Sequence, residues 1–309
     1  MTAASTTLEI EPLSPVLGAR LHGLDLSRPI PVETQAAMRQ AFARYGVLCV
    51  PSARAKPDMD VEDQIRFASV FGKVDGEGNG QLRFAEGEKR PKRGIMFVSN
   101  LRENGELVGV LPDGEMHFHS DGAHRGVPYR GTTLYAIKIP SRGGETKFAN
   151  LTAAYEALSP AMKARVEGLS GRFVYDVRAT LRDQTNEGDE GLSSSVHPLV
   201  RRHSDTGKPA LYLSRLMTRD IVGLDRAESD KLLGELFDHC EQPHFVYAHT
   251  WTLGDLLLWD NRCSTTPAMI FLRRKSATCG GLRCRIRVRA AQRLLDLGIA
   301  NAKGYSTAI

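Results

Sequence analysis

No histidine follows His249 in this chain of 309 residues, and only one acidic residue, Asp296, follows Ser264. Other absences narrow the field. The five cysteines (Cys49, Cys240, Cys263, Cys279 and Cys284) are odd in number and form no CxxC pair. That argues against a disulfide framework and against a thiolate zinc site. No apolar run approaches the length of a membrane helix, and Met1-Thr2-Ala3-Ala4-Ser5 lacks the charged and apolar regions of a secretory signal. A cytoplasmic location without a membrane partner is expected.

The shortage of acid at the end governs the charge. From Thr265 onward nine basic residues face one acidic residue, a local net of +8. The first 264 residues hold 32 basic and 35 acidic side chains, a net of −3. The body is mildly acidic, and the tail alone raises the pI to about 9.0. A basic arm for nucleic acid is one reading of such a tail. It has few aromatic residues to stack bases, so no nucleic-acid partner is expected.

Short strands dominate what is present. Leu8 to Leu13, 47–50, 96–99, 132–139, 146–149, 244–249 and 256–259 read as strands between turns. Val32 to Tyr45 has helical periodicity through Ala36, Met38, Ala41 and Phe42 and stops at Gly46. Helices are also expected over Val61 to Phe71, from Ser159-Pro160 to Leu169, and over Asp225 to Cys240. Residues 73–95 suit an exposed loop over a site, and the polar stretch 178–208 reads as an insertion or lid. The pattern favours a mainly β chain with inserted helices around a jelly-roll core over a parallel α/β sheet.

The chemistry-bearing feature is His119 with Asp121, in His117-Phe118-His119-Ser120-Asp121-Gly122. On a strand, side chains two apart point the same way. An imidazole and a carboxylate so placed can supply two ligands of a 2-His-1-carboxylate triad on non-haem Fe(II). Taken alone, an HxD is more often a surface or hydrogen-bonding pair. His117 shares the face and is read as structural.

The context is more specific. Leu111-Pro112-Asp113-Gly114-Glu115 leads into the pair, and Gly143-Gly144-Glu145-Thr146-Lys147-Phe148-Ala149-Asn150 follows. Ala153-Ala154-Tyr155-Glu156-Ala157-Leu158-Ser159, Trp251-Thr252-Leu253-Gly254-Asp255 and Trp259-Asp260-Asn261-Arg262 come after in order. From about Leu17 to Cys263 the chain resembles the taurine dioxygenase and 2,4-dichlorophenoxyacetate dioxygenase family of Fe(II)/2-oxoglutarate oxygenases. The resemblance implies a double-stranded β-helix core, with Fe(II) on His119 and Asp121 and the Thr146 hydroxyl donating to the distal carboxylate of 2-oxoglutarate. A small acidic or polar substrate would be hydroxylated with O2, releasing succinate and CO2. Asn100 is the substrate-facing candidate, with a turn role as the alternative. His249 is read as structural, and Trp259 and Asp260 as bracing the returning strand. A homo-oligomeric state is left open.

The family resemblance also implies a metal-binding His shortly after Trp259-Asp260-Asn261-Arg262. It further implies an Arg eleven residues beyond that His, to fork onto 2-oxoglutarate, and another Arg four residues on. Here those positions are Thr266, Ala277 and Gly281, none of which can ligate iron or clamp a carboxylate in those ways. The genetic code offers an explanation. Joining the third base of each codon to the first two of the next, Thr265-Thr266 permits His, Thr266-Pro267 Ala and Pro267-Ala268 Arg. Met269-Ile270 forces Asp, because ATG followed by AT contains GAT. Ser276-Ala277 permits Arg eleven places after the His, and Gly280-Gly281 permits Arg at fifteen. The expectation is therefore a dioxygenase jelly-roll domain over residues 1–264 and an atypical basic tail over 265–309, produced by a frameshift near Ser264-Thr265. The competing reading is a catalytically impaired family remnant, or a non-catalytic small-molecule binding protein.

Overall fold

The computed structural model describes residues 8–51, 59, 61–74, 95–99, 102–103, 106–107, 117–140, 143–175, 192–266 and 282–289. Asn100, Ala277, Gly281 and residues 75–94, most of the stretch expected to form an exposed loop, lie outside the described residues. The described chain is mainly strand with helices inserted. An eight-stranded sheet runs in the order Glu9–Pro12, Ala19–His22, Val47–Val50, Leu256–Asp260, Tyr129–Lys138, Leu282–Arg289, Lys73–Val74, with Ile95–Ser99 also paired to Leu282–Arg289. Its pairings are antiparallel except that of Ala19–His22 with Val47–Val50. Within the tail, residues 282–289 therefore lie as a strand of this sheet.

The central strands are apolar at successive positions because both sheet faces are covered. Leu48, Val50, Tyr135, Leu256 and Leu258 pack under Met38, Ala41, Phe42, Phe67 and Phe71. The first three of those belong to the helix Val32–Tyr45, which ends at Gly46 in the left-handed conformation, its N–H bonded to the Phe42 carbonyl. On the opposite face Val47, Cys49, Leu134, Ala136, Leu257 and Trp259 meet Phe148 and Trp251. Burying each of the Val, Leu, Met and Phe side chains among them stabilises the fold by roughly 1.5–3 kcal/mol.

Phe148 belongs to a smaller sheet that carries the site. Val246–His249, Thr146–Asn150 and Ser264–Thr265 pair antiparallel in that order. The helices Leu151–Ala157, Pro160–Val166 and Arg226–Cys240 form a further core beside it, where Leu151, Val166, Leu232 and Leu236 cluster with Leu199, Leu211 and Ile221. Each of these helices starts on a side-chain cap: Asn150, Ser159 and Asp225 accept from the backbone N–H groups of Ala153, Met162 and Glu228.

Two expectations need correction. The stretch read as a polar insertion or lid contains strands Ser193–Pro198 and Val200–Arg202, paired with Ser170–Tyr175 and Pro209–Leu211. Its serines face water and the inward group is His197, so no apolar alternation marks it. The helices starting at Val61 and Pro160 end at Ser69 and Val166, earlier than expected. The first gives way to turn bonds from Val70 and Phe71 to Phe67 and Ala68. After the second, the chain turns through Gly168, whose φ is +75°.

Candidate metal centre

His119 sits at the rim of the small sheet. Its backbone N–H donates to the Thr266 carbonyl at 3.0 Å and its carbonyl accepts from the Thr266 N–H at 2.9 Å, an isolated antiparallel bridge. Regular strand does not continue to Asp121. The chain turns there, with Ala123 bonded back to Ser120 and Arg125 to Gly122. Gly122 has φ +74°, and a Cβ on it would lie 2.5 Å from a Tyr129 ring carbon, so only glycine fits this turn.

Even without a continuous strand, the turn brings the two side chains together. His119 and Asp121 are each 3% exposed, and His119 Nε2 lies 3.9 Å from Asp121 Oδ1, beyond hydrogen-bond length. His119 Nδ1 is 3.2 Å from the His117 carbonyl. A carbonyl only accepts, so Nδ1 carries a proton, and Nε2 is the ring nitrogen that an unprotonated imidazole would offer a metal. His117 is exposed and does not join the pair.

Asp121 is aimed by a chain of buried hydrogen bonds. Trp259 Nε1 donates to Asn261 Oδ1 at 3.1 Å, Asn261 Nδ2 donates to Thr132 Oγ1 at 3.0 Å, and Thr132 Oγ1 donates to Asp121 Oδ2 at 2.8 Å. Asn261 Oδ1 also accepts from the Asp121 backbone N–H at 3.2 Å. Because Thr132 receives from Asn261, its single proton goes to Asp121, which commits Oδ2 and turns Oδ1 toward His119. Sequence reading missed both partners. Asn261 was visible only as a member of the Trp-Asp-Asn-Arg motif, and Thr132 carried no signal within a run of strand residues.

Asp260 holds the same returning strand on its other side. It binds His203 Nε2 at 3.0 Å and forks onto Arg262, which reaches Ser204 and Asp205 as well. Burial alone would raise the Asp260 carboxyl, but Arg262 and His203 outweigh it and hold it well below the usual carboxylate range.

Thr146 is buried on the small sheet, directly opposite His249 in register. It lies three residues along its strand from Ala149, the partner of Thr265. Its Oγ1 accepts from Trp251 Nε1 at 2.9 Å. His249 is held between Tyr247 Oη and Asp255 Oδ2, in agreement with a structural reading.

The donor set can be judged against iron from these positions. A neutral imidazole and an oriented carboxylate suit it, but the residue paired with His119 is Thr266, whose hydroxyl is no substitute for a second imidazole. Among the described residues, clusters of three metal-type ligands occur at Cys49, His249, Asp255 and at His203, Asp260, Cys263, and neither includes His119 or Asp121. The chain as written fits two thirds of a facial triad.

Comparison with known proteins gives the family. The family model described as taurine catabolism dioxygenase TauD, TfdA family matches residues 9–265. The chain is 33% identical over 268 residues to the (S)-phenoxypropionate/alpha-ketoglutarate-dioxygenase of Sphingobium herbicidovorans, covering 84% of this chain and 88% of that protein. It is 30% identical over 267 residues to the alpha-ketoglutarate-dependent 2,4-dichlorophenoxyacetate dioxygenase of Cupriavidus pinatubonensis, covering 82% and 88%. Among solved structures, AAD-2 in complex with Mn(II) and N-oxalylglycine superposes with a TM-score of 0.72 at 28% identity, covering 93% of this chain and 98% of that one. The chain belongs to the TauD/TfdA family of 2-oxoglutarate-dependent dioxygenases, enzymes that use Fe(II) and 2-oxoglutarate with O2 on small-molecule substrates.

Proposed function

We propose that this gene encodes an Fe(II)/2-oxoglutarate dioxygenase that hydroxylates a small acidic organic substrate and releases succinate and CO2, and that the chain as written has lost frame near Ser264-Thr265. In this reading His119 and Asp121 hold two coordination positions, and a histidine at 266 holds the third. Bound there, the metal supplies the oxidation chemistry. The protein's share is to orient Asp121 through Thr132 and Asn261 and to keep His119 in the Nδ1–H tautomer. Thr146 donates its hydroxyl to the distal carboxylate of 2-oxoglutarate. The two sheets close around this centre as a double-stranded β-helix, and Asn100 remains the substrate-facing candidate. The aryloxy-acid substrates named for two relatives support an acidic substrate here.

One observation carries the proposal. Thr266, the position where the shifted frame permits His, is the residue whose backbone is bonded to His119. The family match ends at Thr265, one residue earlier. As written, the chain is catalytically impaired. Succinate formation from 2-oxoglutarate with Fe(II), measured on the chain as written and on its frame-restored form, tests this: activity is expected in the restored form alone. Coding DNA across codons 260–285 that cannot encode His at 266 and Arg at 277 in the shifted frame would overturn the frameshift.

A further inference from the structure

Thr146 and His249 face each other across the small sheet, and Trp251 lies two residues beyond His249. An indole N–H has no acceptor capacity, so the 2.9 Å contact between Trp251 Nε1 and Thr146 Oγ1 runs in one direction. A threonine hydroxyl has one proton and two lone pairs. With one lone pair filled from Trp251, the proton is left to serve an acceptor on the other side.

Trp251 is itself fixed from behind. Its ring meets His249 edge-on, with centroids 4.9 Å apart and an interplanar angle of 88°. The Asp255 carboxylate only accepts, so His249 Nε2 carries the proton to Asp255 Oδ2 at 3.3 Å, and Nδ1 accepts from Tyr247 Oη at 2.9 Å. Burial, with Cys49 adding to it, pushes the Tyr247 hydroxyl up and keeps it a donor. Asp255 Oδ2 also accepts from the Thr252 N–H at 2.8 Å, closing a turn through Gly254 at φ +86° that sets where Trp251 lies. With the His249 ring neutral, every polar link in this chain runs in one direction.

We infer that Trp251 is a positioning residue for 2-oxoglutarate: its indole N–H fixes the Thr146 hydroxyl as a donor to the distal carboxylate, and His249 and Asp255 hold the indole in place. The inference rests on the reading of Thr146 given under Proposed function. It assigns His249 a purpose beyond filling the core, through a contact that sequence spacing does not reveal.

The chain has only two tryptophans, so its ¹⁵N-indole spectrum has two side-chain resonances, and Trp251→Phe removes and thereby assigns one of them. In the full-length chain, Thr146→Val should shift the Trp251 resonance while Thr146→Ser leaves it near its place. Equilibrium dialysis of 2-oxoglutarate with the frame-restored chain should give about tenfold weaker binding for Trp251→Phe, the equivalent of one neutral hydrogen bond of about 1.4 kcal/mol. A thermal midpoint close to the parent would mark this as positioning, because a purely structural role would change the midpoint and leave affinity alone. If Trp251→Phe does not fold, Asn261→Asp assigns the other resonance through its bond to Trp259, and the Thr146 pair carries the test. Parent-like affinity in Trp251→Phe alongside lost affinity in Thr146→Val overturns the inference and leaves the proposed reaction standing. Undiminished 2-oxoglutarate affinity in Thr146→Val overturns the role of Thr146 and the inference with it.

Discussion

His119 and Thr266 exchange both of their backbone hydrogen bonds, at 3.0 and 2.9 Å, so whatever side chain stands at 266 is held beside the imidazole. In an antiparallel bridge the Cα atoms of such a pair lie about 5.5 Å apart. That spacing lets a histidine at 266 and His119 share one ion, whereas a threonine offers no imidazole. In the proposed reading, position 266 is the third ligand's place, and threonine lacks the imidazole it calls for.

Asp121 depends on Thr132 for its aim. Thr132→Val keeps the volume and removes the bond to Asp121 Oδ2, freeing the carboxylate to rotate. In a Thr266→His background it should weaken Mn(II) binding by about 10- to 100-fold, the usual cost of losing a group that orients a ligand. Electron paramagnetic resonance of free Mn(II) during titration checks this; unchanged affinity would remove Thr132 from the account.

Gly122 is required by the turn that swings Asp121 inward. Gly122→Ala places a methyl group 2.5 Å from the Tyr129 ring at a φ of +74°. A destabilisation of about 1–3 kcal/mol is expected, read as a lower urea midpoint. Gly126→Ala, with open space around it, is the control and should shift the midpoint little.

Acid should unfold the protein partly through Asp260. Its carboxyl is held below the usual range in the folded state, so the unfolded chain takes up a proton first as pH falls. The stabilisation is complete above about pH 4 and is lost as pH drops toward the folded value. Asp260→Asn should cost roughly 3 kcal/mol or more at neutral pH, because Arg262 and His203 lose their buried partner. It should also flatten the fall in stability below pH 4. Denaturant titrations of both proteins between pH 3 and 7 check the slope, and parallel curves would exclude Asp260 as the group responsible.

The sequence was legible where one physical signal dominated. Val32 to Tyr45 was readable at both ends because Pro31 and Gly46 bracket a clean helical period. The buried strands Val47–Val50 and Leu256–Asp260 announced themselves as continuous apolar runs. Ser193–Pro198 was not legible, since its inward residue is a histidine bonded to the Ala123 and Arg125 carbonyls. At the site, His119, Asp121 and Thr146 came from motif order, and all three are buried. Their orienting partners Thr132, Asn261 and Trp251 were hidden, because those contacts span 11, 140 and 105 residues of sequence. Asp121 was expected on a strand and lies in a turn, so period-two reasoning paired it with His119 for a reason that the local backbone does not follow.

The most direct test of the proposed metal centre is to place an imidazole at 266. Co(II) titration of Thr266→His, followed by visible absorption and compared with the chain as written, should give at least tenfold tighter binding and a new ligand-field band. Adding Asp121→Ala should abolish both gains. Equal Co(II) affinity in Thr266→His and the parent would contradict the account.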